Sequence, residues 1–570
     1  MDKSKNFSQL IKNMFFEWKW LFGFIARYKW TLLLYIVLGV VSTAMSLGIS
    51  VSTKHLIDAV ISRDSNVLLG AAVFLISFAV SQILFQALSS WITAVVSSKA
   101  HNEIRSEIYS HVLKSSVADI GKFHSGDLLN RLESDVSTIS SAVINFIPSV
   151  FTRGLQFFGA LLLVLYYDKT MALLALMSAP LMFLSSRVLV KTIRKYNKAT
   201  RELNGKILAY SEESVQNLQL IKAFDLTRDY ITNFKQVLEN YRGIKLSSDK
   251  FSIFMTMVLS FAGLVVSYAC YGWGVYRLWQ GVITYGTMTL FLQIAGSLTS
   301  SFGSLAALAP SSISIATAAG RVMEITGFDE ETDADKDKAL RILDKCKNDS
   351  FELVLENVSF VYENKTNPIL QNVNLTIRSG DTVGFVGPSG EGKTTLFKLI
   401  LGIIQPTQGR IYIKSADGEE IDVSDSTRRF CSYVPQHVTA FSGSIRENLT
   451  IVKNSASDAE LEAVLKKAEL YKYVNELAEG IDTPVREQGA NMSQGQLQRL
   501  SIARALLRDA CILLMDEATS ALDKDTEAKV LENIMHSKGS GIKILTTHRE
   551  SMLAYCDKVY RISDSGKISV

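Results

Sequence analysis

Six apolar stretches of this chain carry too few charges for most soluble folds. Residues 31–53, 65–98, 252–276 and 278–320 contain no Asp, Glu, Lys, Arg or His, and 136–167 contains one charge, Arg153. Residues 170–186 are also charge-free but shorter. A helix needs about 20 apolar residues to cross the hydrocarbon core of a bilayer. The pattern therefore predicts six membrane spans, at about 30–52, 66–98, 136–167, 169–190, 251–276 and 281–320. Several exceed bilayer thickness and must tilt or continue as helices into water. Buried helices of a soluble protein seldom run this far without a charge, so that alternative is set aside.

Lys and Arg placement orients the spans. Residues 1–30 hold six, 99–135 five and 187–250 thirteen, whereas the opposite connections hold only Lys54, Arg63, Lys169 and Arg277. Basic residues stay on the cytoplasmic side, which places both termini and the two long loops there. The N-terminus lacks the pattern of a cleavable signal. Residues 8–26 mix Phe, Trp and Leu with Lys and Glu, which suits a helix lying at the inner membrane interface. In 99–135 the apolar residues Ile104, Ile108 and Val112 recur at helical spacing, so the membrane helices are expected to extend far into the cytoplasm. Pro148, Pro180 and Pro310 fall inside apolar runs, where each should bend its helix. Residues 327–350, rich in Asp, read as a linker. The expected division is a membrane domain at 1–326, the linker, and an α/β domain at 351–570.

Composition excludes other classes. Lys plus Arg is 60 against 56 for Asp plus Glu, a net charge of +4, which gives no support to nucleic-acid binding. The five cysteines show no paired spacing, so neither a disulfide framework nor a zinc motif is expected.

The chemistry sits in the last 220 residues. Gly387-Pro-Ser-Gly-Glu-Gly392-Lys393-Thr394 fits G-x-x-x-x-G-K-[ST]. It follows an apolar strand and precedes a helical run, the context that makes this pattern a phosphate cradle. Backbone N–H groups close around the phosphates, Lys393 adds positive charge, and the Thr394 hydroxyl suits Mg²⁺. A second apolar run, 511–515, ends in Asp516 and Glu517. The first carboxylate can hold the Mg²⁺ shell and the second can polarise an attacking water. A third strand, KILTT, leads to His548, a side chain able to hydrogen-bond a γ-phosphate.

The stretch Asn491-Met-Ser493-Gln-Gly495-Gln496-Leu-Gln-Arg-Leu-Ser, lying between the phosphate loop and Asp516, resembles the signature segment of ATP-binding-cassette proteins. Ser520-Ala-Leu-Asp523 resembles that family's D-loop, and Tyr433-Val-Pro-Gln436 its Q-loop. Gly126 to Asp135 and Leu220 to Phe224 resemble the two cytoplasmic loops of exporter-type members. One six-span domain followed by one nucleotide domain is similar to a half-transporter of that type. The fold class implied is an α-helical polytopic membrane domain with long cytoplasmic extensions plus an α/β P-loop nucleotide-binding domain.

Residue by residue, the resemblance implies that Tyr362 stacks on adenine, and that Gly387, Ser389, Gly390, Gly392, Lys393, Thr394 and Thr395 bind the phosphates. Thr394 and Gln436 would ligate Mg²⁺, with Asp516 helping through water. Glu517 is the implied general base and His548 the γ-phosphate sensor. Ser493, Gly495 and Gln496 would reach the ATP of the other subunit, and Asp523 would couple the two sites. Glu487 resembles the segment that meets the cytoplasmic loops. The sequence departs from the family pattern at Gln494, where a glycine is usual.

The implied function is ATP-driven export of an amphipathic drug, lipid or peptide across a bacterial cytoplasmic membrane, with ATP and Mg²⁺ as cofactors. A signature that completes the site in trans implies a dimer, either of two copies or with a different half-transporter. An importer built on the same fold is the alternative, and a cytosolic cassette ATPase is disfavoured by the six spans. Arg153 faces either a cavity or the inner headgroups. The aromatic and Met side chains of the last two spans either line a tolerant cavity or pack against helices and lipid.

Overall fold

The computed structural model describes residues 2–123, 125–170, 173, 178–331, 333–362, 367–388, 392–486, 489–535, 541–547, 549–563 and 566–569. It divides into two compact units, residues 1–113 with 120–329, and residues 114–119 with 330–570.

Among the described residues of the first unit, helix α1 (Asp2–Arg27) precedes six long helices: α2 (Lys29–Ser62), α3 (Ser65–Lys114), α4 (Ile147–Tyr167), α5 (Ser178–Gln216), α6 (Thr227–Trp279) and α7 (Tyr285–Thr326). Among the described residues, α2, α3 and α4 are long and apolar enough to cross a membrane. The span expected at about 169–190 falls partly outside the described residues, and α5 to α7 occupy the remaining charge-poor stretches. Two helices are long enough for the expected extensions. At 1.5 Å per residue, the 50 residues of α3 and 53 of α6 reach about 75–80 Å, more than twice a hydrocarbon core.

The helical spacing at Ile104 and Ile108 marks a buried seam. Both are fully enclosed with Leu21, Phe24 and Ile25 of α1, Ala318 and Val322 of α7, and Val136 and Ile139. On α1, Phe15, Phe16 and Phe22 remain exposed, an apolar surface suited to lipid. Pro148 causes no break inside α4. It sits in that helix's first turn, where its missing N–H has no intrahelical partner to lose, directly after a π-helical turn at Ala142–Phe146.

The second unit begins with α8 (Lys336–Asn348), inside the stretch expected to link the domains; its Ala339, Ile342 and Cys346 are buried in the unit's core. Ahead of α8, Glu331 takes both guanidinium nitrogens of Arg428 at 2.6 Å, and Asp333 pairs with Arg429 at 2.9 Å.

Strands β1 (Phe351–Phe360), β2 (Leu370–Arg378), β4 (Gln408–Ser415) and β5 (Glu420–Asp422) form an antiparallel sheet in the order β2-β1-β4-β5. The second sheet has the order β12-β11-β3-β10-β9-β6. It contains β3 (Thr382–Val386), β6 (Cys431–Val434), β9 (Ile512–Asp516), β10 (Ile542–Thr546), β11 (Lys558–Ile562) and the antiparallel edge β12 (Ile568–Ser569). A small ribbon pairs β7 (Gly443–Ser444) with β8 (Pro484–Val485). β1 alternates buried and half-buried positions, whereas β3, β9 and β10 are buried almost throughout. That is the mark of parallel strands covered on both faces. Parallel pairing aligns Thr546 with both Asp516 and Phe385, so the carboxyl ends of β3, β9 and β10 open at one level, where open α/β sheets bind ligands.

Candidate functional site

The phosphate loop leaves β3 and enters α9 (Lys393–Ile400). Gly392 caps this helix with φ of +100°, and an added Cβ would lie 2.8 Å from Ile369 Cγ2. Only glycine meets both demands, which is why the pattern requires it there. Lys393 is 5% exposed, and its ammonium donates to the carbonyls of Gly387 and Pro388, the latter at 2.9 Å. A buried cation thus stands at the loop where the helix N-terminus also attracts anions. Ser389 and Gly390 lie outside the described residues, as do Glu487 and His548.

Thr394 donates its hydroxyl to Asp516 Oδ2 at 2.8 Å, and Thr546 donates to Asp516 Oδ1 at 2.6 Å. Asp516 is 1% exposed at the end of β9. The phenol of Tyr433, on neighbouring β6, is pushed well above its ordinary pKa by burial and by the Asp516 carboxylate. Glu517 follows with φ of +49°, a left-handed conformation uncommon for a residue with a side chain. Its N–H donates to Thr546 O at 3.2 Å and Thr546 Oγ1 at 3.1 Å, and its Oε2 accepts from Gln436 Nε2 at 2.9 Å. The strained backbone is thereby held by the adjacent strand. Thr394, Gln436, Asp516 and Glu517, in three separate segments of the sequence, are brought together. Tyr362 comes beside the same helix, with its hydroxyl 3.3 Å from Thr395 Oγ1.

The donor set fits Mg²⁺. No cluster of three or more His, Cys, Asp or Glu able to hold a metal occurs among the described residues. One hydroxyl, one carboxylate and one amide suit an ion that takes most of its remaining ligands from phosphate and water.

Ser493 caps α10 (Gln494–Arg508) in a reciprocal capping box: Ser493 N–H donates to Gln496 Oε1 at 2.8 Å, and Gln496 N–H to Ser493 Oγ at 3.2 Å. Gln496 therefore spends its side chain on the helix end. Ser493 and Gln494 are exposed, so the side chain that departs from the family pattern projects from the surface and displaces nothing within the unit. Gly495 backs onto the D-loop, where an added Cβ would lie 3.1 Å from Ala521 O. Asp523 caps α11 (Lys524–Met535), accepting from Thr526 N–H at 3.0 Å, and this bond holds its carboxyl below the usual range.

Three functional neighbours were not anticipated from sequence. Thr546 ties Asp516 to Glu517. Gln498, 1% exposed, donates to Glu517 O and accepts from Ala521 N–H at 2.9 Å, pinning the D-loop from inside. Arg549 pins it from outside, donating to Ser520 O and to Glu527 Oε2, each at 2.8 Å. Position three in the signature run after Gly495 and the residue following His548 were the only signals, and neither shows what it touches.

A phosphate loop facing two consecutive carboxylates at a parallel-sheet switch point, with a capped signature helix beside them, defines a P-loop nucleotide-binding domain of the cassette type, here in one chain with membrane helices. Family models agree: an ABC transporter transmembrane region matches residues 32–302 and an ABC transporter domain matches 370–520. The chain belongs to the ABC transporters, as a half-transporter of the exporter type.

It is 28% identical to a Rickettsia conorii protein named "Putative export ATP-binding/permease protein", over 94% of this chain and 92% of that one. It is 27% identical to a Staphylococcus aureus protein named "Putative multidrug export ATP-binding/permease protein", over 95% and 94%. The fold is shared with a bacterial Atm1-family ABC exporter solved with ATP bound, at a TM-score of 0.83 and 21% identity, covering 96% of this chain and 95% of that chain.

Proposed function

We propose that this chain hydrolyses ATP to drive export of an amphipathic substrate across the cell membrane, as one half of a dimer, with both termini in the cytoplasm. The observation that carries the hydrolytic role is the convergence of Lys393, Thr394, Asp516, Glu517 and Gln436 around the phosphate loop. Gly387 to Thr395 bind the triphosphate, with Ser389 and Gly390 included by their place in the loop, and Tyr362 takes the adenine. Thr394, Gln436 and Asp516 hold Mg²⁺, which supplies charge to offset that of the β- and γ-phosphates. Glu517 accepts the proton of the attacking water while Gln436 orients its carboxylate, and His548 contacts the γ-phosphate.

Two observations support a partner subunit. The signature segment begins at the exposed Ser493 and Gln494, a surface able to meet a nucleotide held by a second subunit. Leu218, Leu220 and Phe224 are 52%, 53% and 70% exposed at the short helical connection between α5 and α6, a cytoplasmic position that lipid does not cover. ATP bound between two nucleotide domains favours their closed state, and its cleavage removes that preference. Only such a difference in affinity can shift the membrane helices between states. Export is favoured over import by the exporter names of full-length relatives and by the long cytoplasmic helix extensions.

The test is ATP-dependent accumulation in inverted membrane vesicles, with the mass of the purified chain measured in nanodiscs. Accumulation in inverted vesicles with a two-chain mass supports the proposal. ATP-dependent uptake into right-side-out vesicles would replace export by import, and a monomer with full ATPase activity would remove the shared site.

A further inference from the structure

Helix α3 crosses the membrane unit with two opposite faces. At 100° per residue, Gln82, Gln86 and Thr93 fall within about 40° of one another, while Leu84, Leu88, Trp91 and Val95 cluster on the far side within about 60°. The apolar set is exposed, Leu84 at 64% and Trp91 at 67%, as a lipid-facing surface should be. The polar set lines a cavity of about 570 Å³ bounded by α2, α3 and α4. Across it stand Ser42 and Ser46 of α2, one helical turn apart, and Arg153 and Gln156 of α4.

Polar side chains at this depth are costly and face a bundle interior or a wet cavity. Some satisfy themselves locally: Thr93 donates to Ser89 O at 2.8 Å. Gln82 and Gln86 hydrogen-bond to no other described residue, so their amides remain available to a ligand. Arg153 is the one charged side chain among the described residues lining the cavity, and it donates to Gln156 Oε1 at 3.3 Å. Among the described lining residues no carboxylate offsets it. Guanidinium stays charged at any working pH and presents several donors in a fixed fork. The volume lies within the range of about 300–1,000 Å³ typical of ligand sites.

We infer that this cavity is a binding site for the anionic, hydrogen-bonding group of a transported molecule, with Arg153 pairing the carboxylate, sulfonate or phosphate and Gln82 and Gln86 bonding its polar body. This deepens the export function by naming the substrate's chemical class, and it disfavours lipophilic cations. Of the aromatic and Met residues of the last two spans, Met255, Met288 and Phe291 are buried and Phe254, Met257 and Tyr268 are exposed, and none of them lines this cavity.

The test uses the full chain in phosphatidylcholine nanodiscs, with Ser46→Cys as a reporter. It is treated with the negatively charged sulfonatoethyl methanethiosulfonate or the positively charged trimethylammonioethyl analogue. Each rate is normalised to that of a small free thiol, and modification is located by mass spectrometry. The anionic reagent is expected to react at least five-fold faster, with the preference falling to about one in Arg153→Gln and persisting in Arg153→Lys. Ser89→Cys, on the facing helix, gives an independent measurement should one variant fail to fold. No labelling, an equal or reversed preference, or a preference unchanged by Arg153→Gln would overturn the inference. Replacing a quarter of the lipid with phosphatidylglycerol separates sources: unchanged labelling assigns the site to soluble anions, and suppressed labelling to an anionic lipid headgroup. Labelling needs no turnover, so a chain that labels as expected but hydrolyses no ATP sinks the export function and leaves the site standing.

Discussion

Gln436 donates its side-chain amide to Glu517 Oε2 at 2.9 Å, joining the segment after β6 to the end of β9. Glu517 is thereby aimed from two directions, by this amide at its side chain and by Thr546 at its backbone N–H. An acceptor held in this way is suited to take a proton from water without rearranging.

Glu517→Gln is expected to bind ATP with near wild-type affinity and to lose turnover by about 10²–10⁴-fold, the usual contribution of a positioned base. Steady-state ATPase rates with nucleotide-binding titrations check this, and wild-type turnover in the variant would remove Glu517 as the base.

Thr546→Val preserves shape but deletes the hydroxyl that donates to Asp516 Oδ1 at 2.6 Å. Thr546 is fully buried, so an acceptor in the core loses its donor, at a cost of about 1–3 kcal/mol. Thermal unfolding of the nucleotide-binding unit should come several degrees lower, and ATPase activity should fall by at least about tenfold, equivalent to about 1.4 kcal/mol in the barrier. An unaltered melt with unaltered turnover contradicts the assignment.

Lys393→Ala removes the buried ammonium of the phosphate loop. Hydrogen bonds to a charged group contribute about 1.5–3 kcal/mol, so ATP affinity should weaken by about 10–100-fold. Isothermal titration gives the comparison, with adenosine as a control whose binding should hardly change.

Gln498→Leu leaves the phosphate loop intact but frees the D-loop, whose Ala521 N–H loses its acceptor. ATP affinity should stay within about twofold while turnover falls by about tenfold, a split that marks a loss of transition-state stabilisation rather than ground-state binding. Equal loss of both would show that the residue supports only the nucleotide pocket.

The native thiols should be silent in the folded chain. Burial pushes Cys346 and Cys431 up to about 12, and Cys511 and Cys556 up to about 11, while Cys270 is buried among the membrane helices. Burial disfavours the thiolate, so reactivity rises only as pH climbs towards those values. At pH 8 a thiol near 12 is about 10⁻⁴ ionised. Ellman's reagent should count no fast thiols at pH 8 and five after denaturation in detergent; rapid reaction of any native thiol would contradict the packing around it.

Much was legible in the sequence because its causes are local. A bilayer imposes its demand on each span separately, so runs without charge announce the membrane helices whatever their neighbours. The phosphate loop is a short contiguous device whose glycine at 392 answers a backbone conformation, and the capping box of Ser493 and Gln496 closes within one helical turn. Tertiary structure alone decided what meets what. Thr546 reaches Asp516 because parallel register sets β10 beside β9, and Gln498 holds the D-loop because α10 packs beneath it. The polar faces of α2, α3 and α4 become one cavity, with Arg153 as its charge, only when three helices turn those faces together. A sequence fixes which side chains share a helical face; it does not fix which face they will meet, because that follows from packing summed over the whole chain.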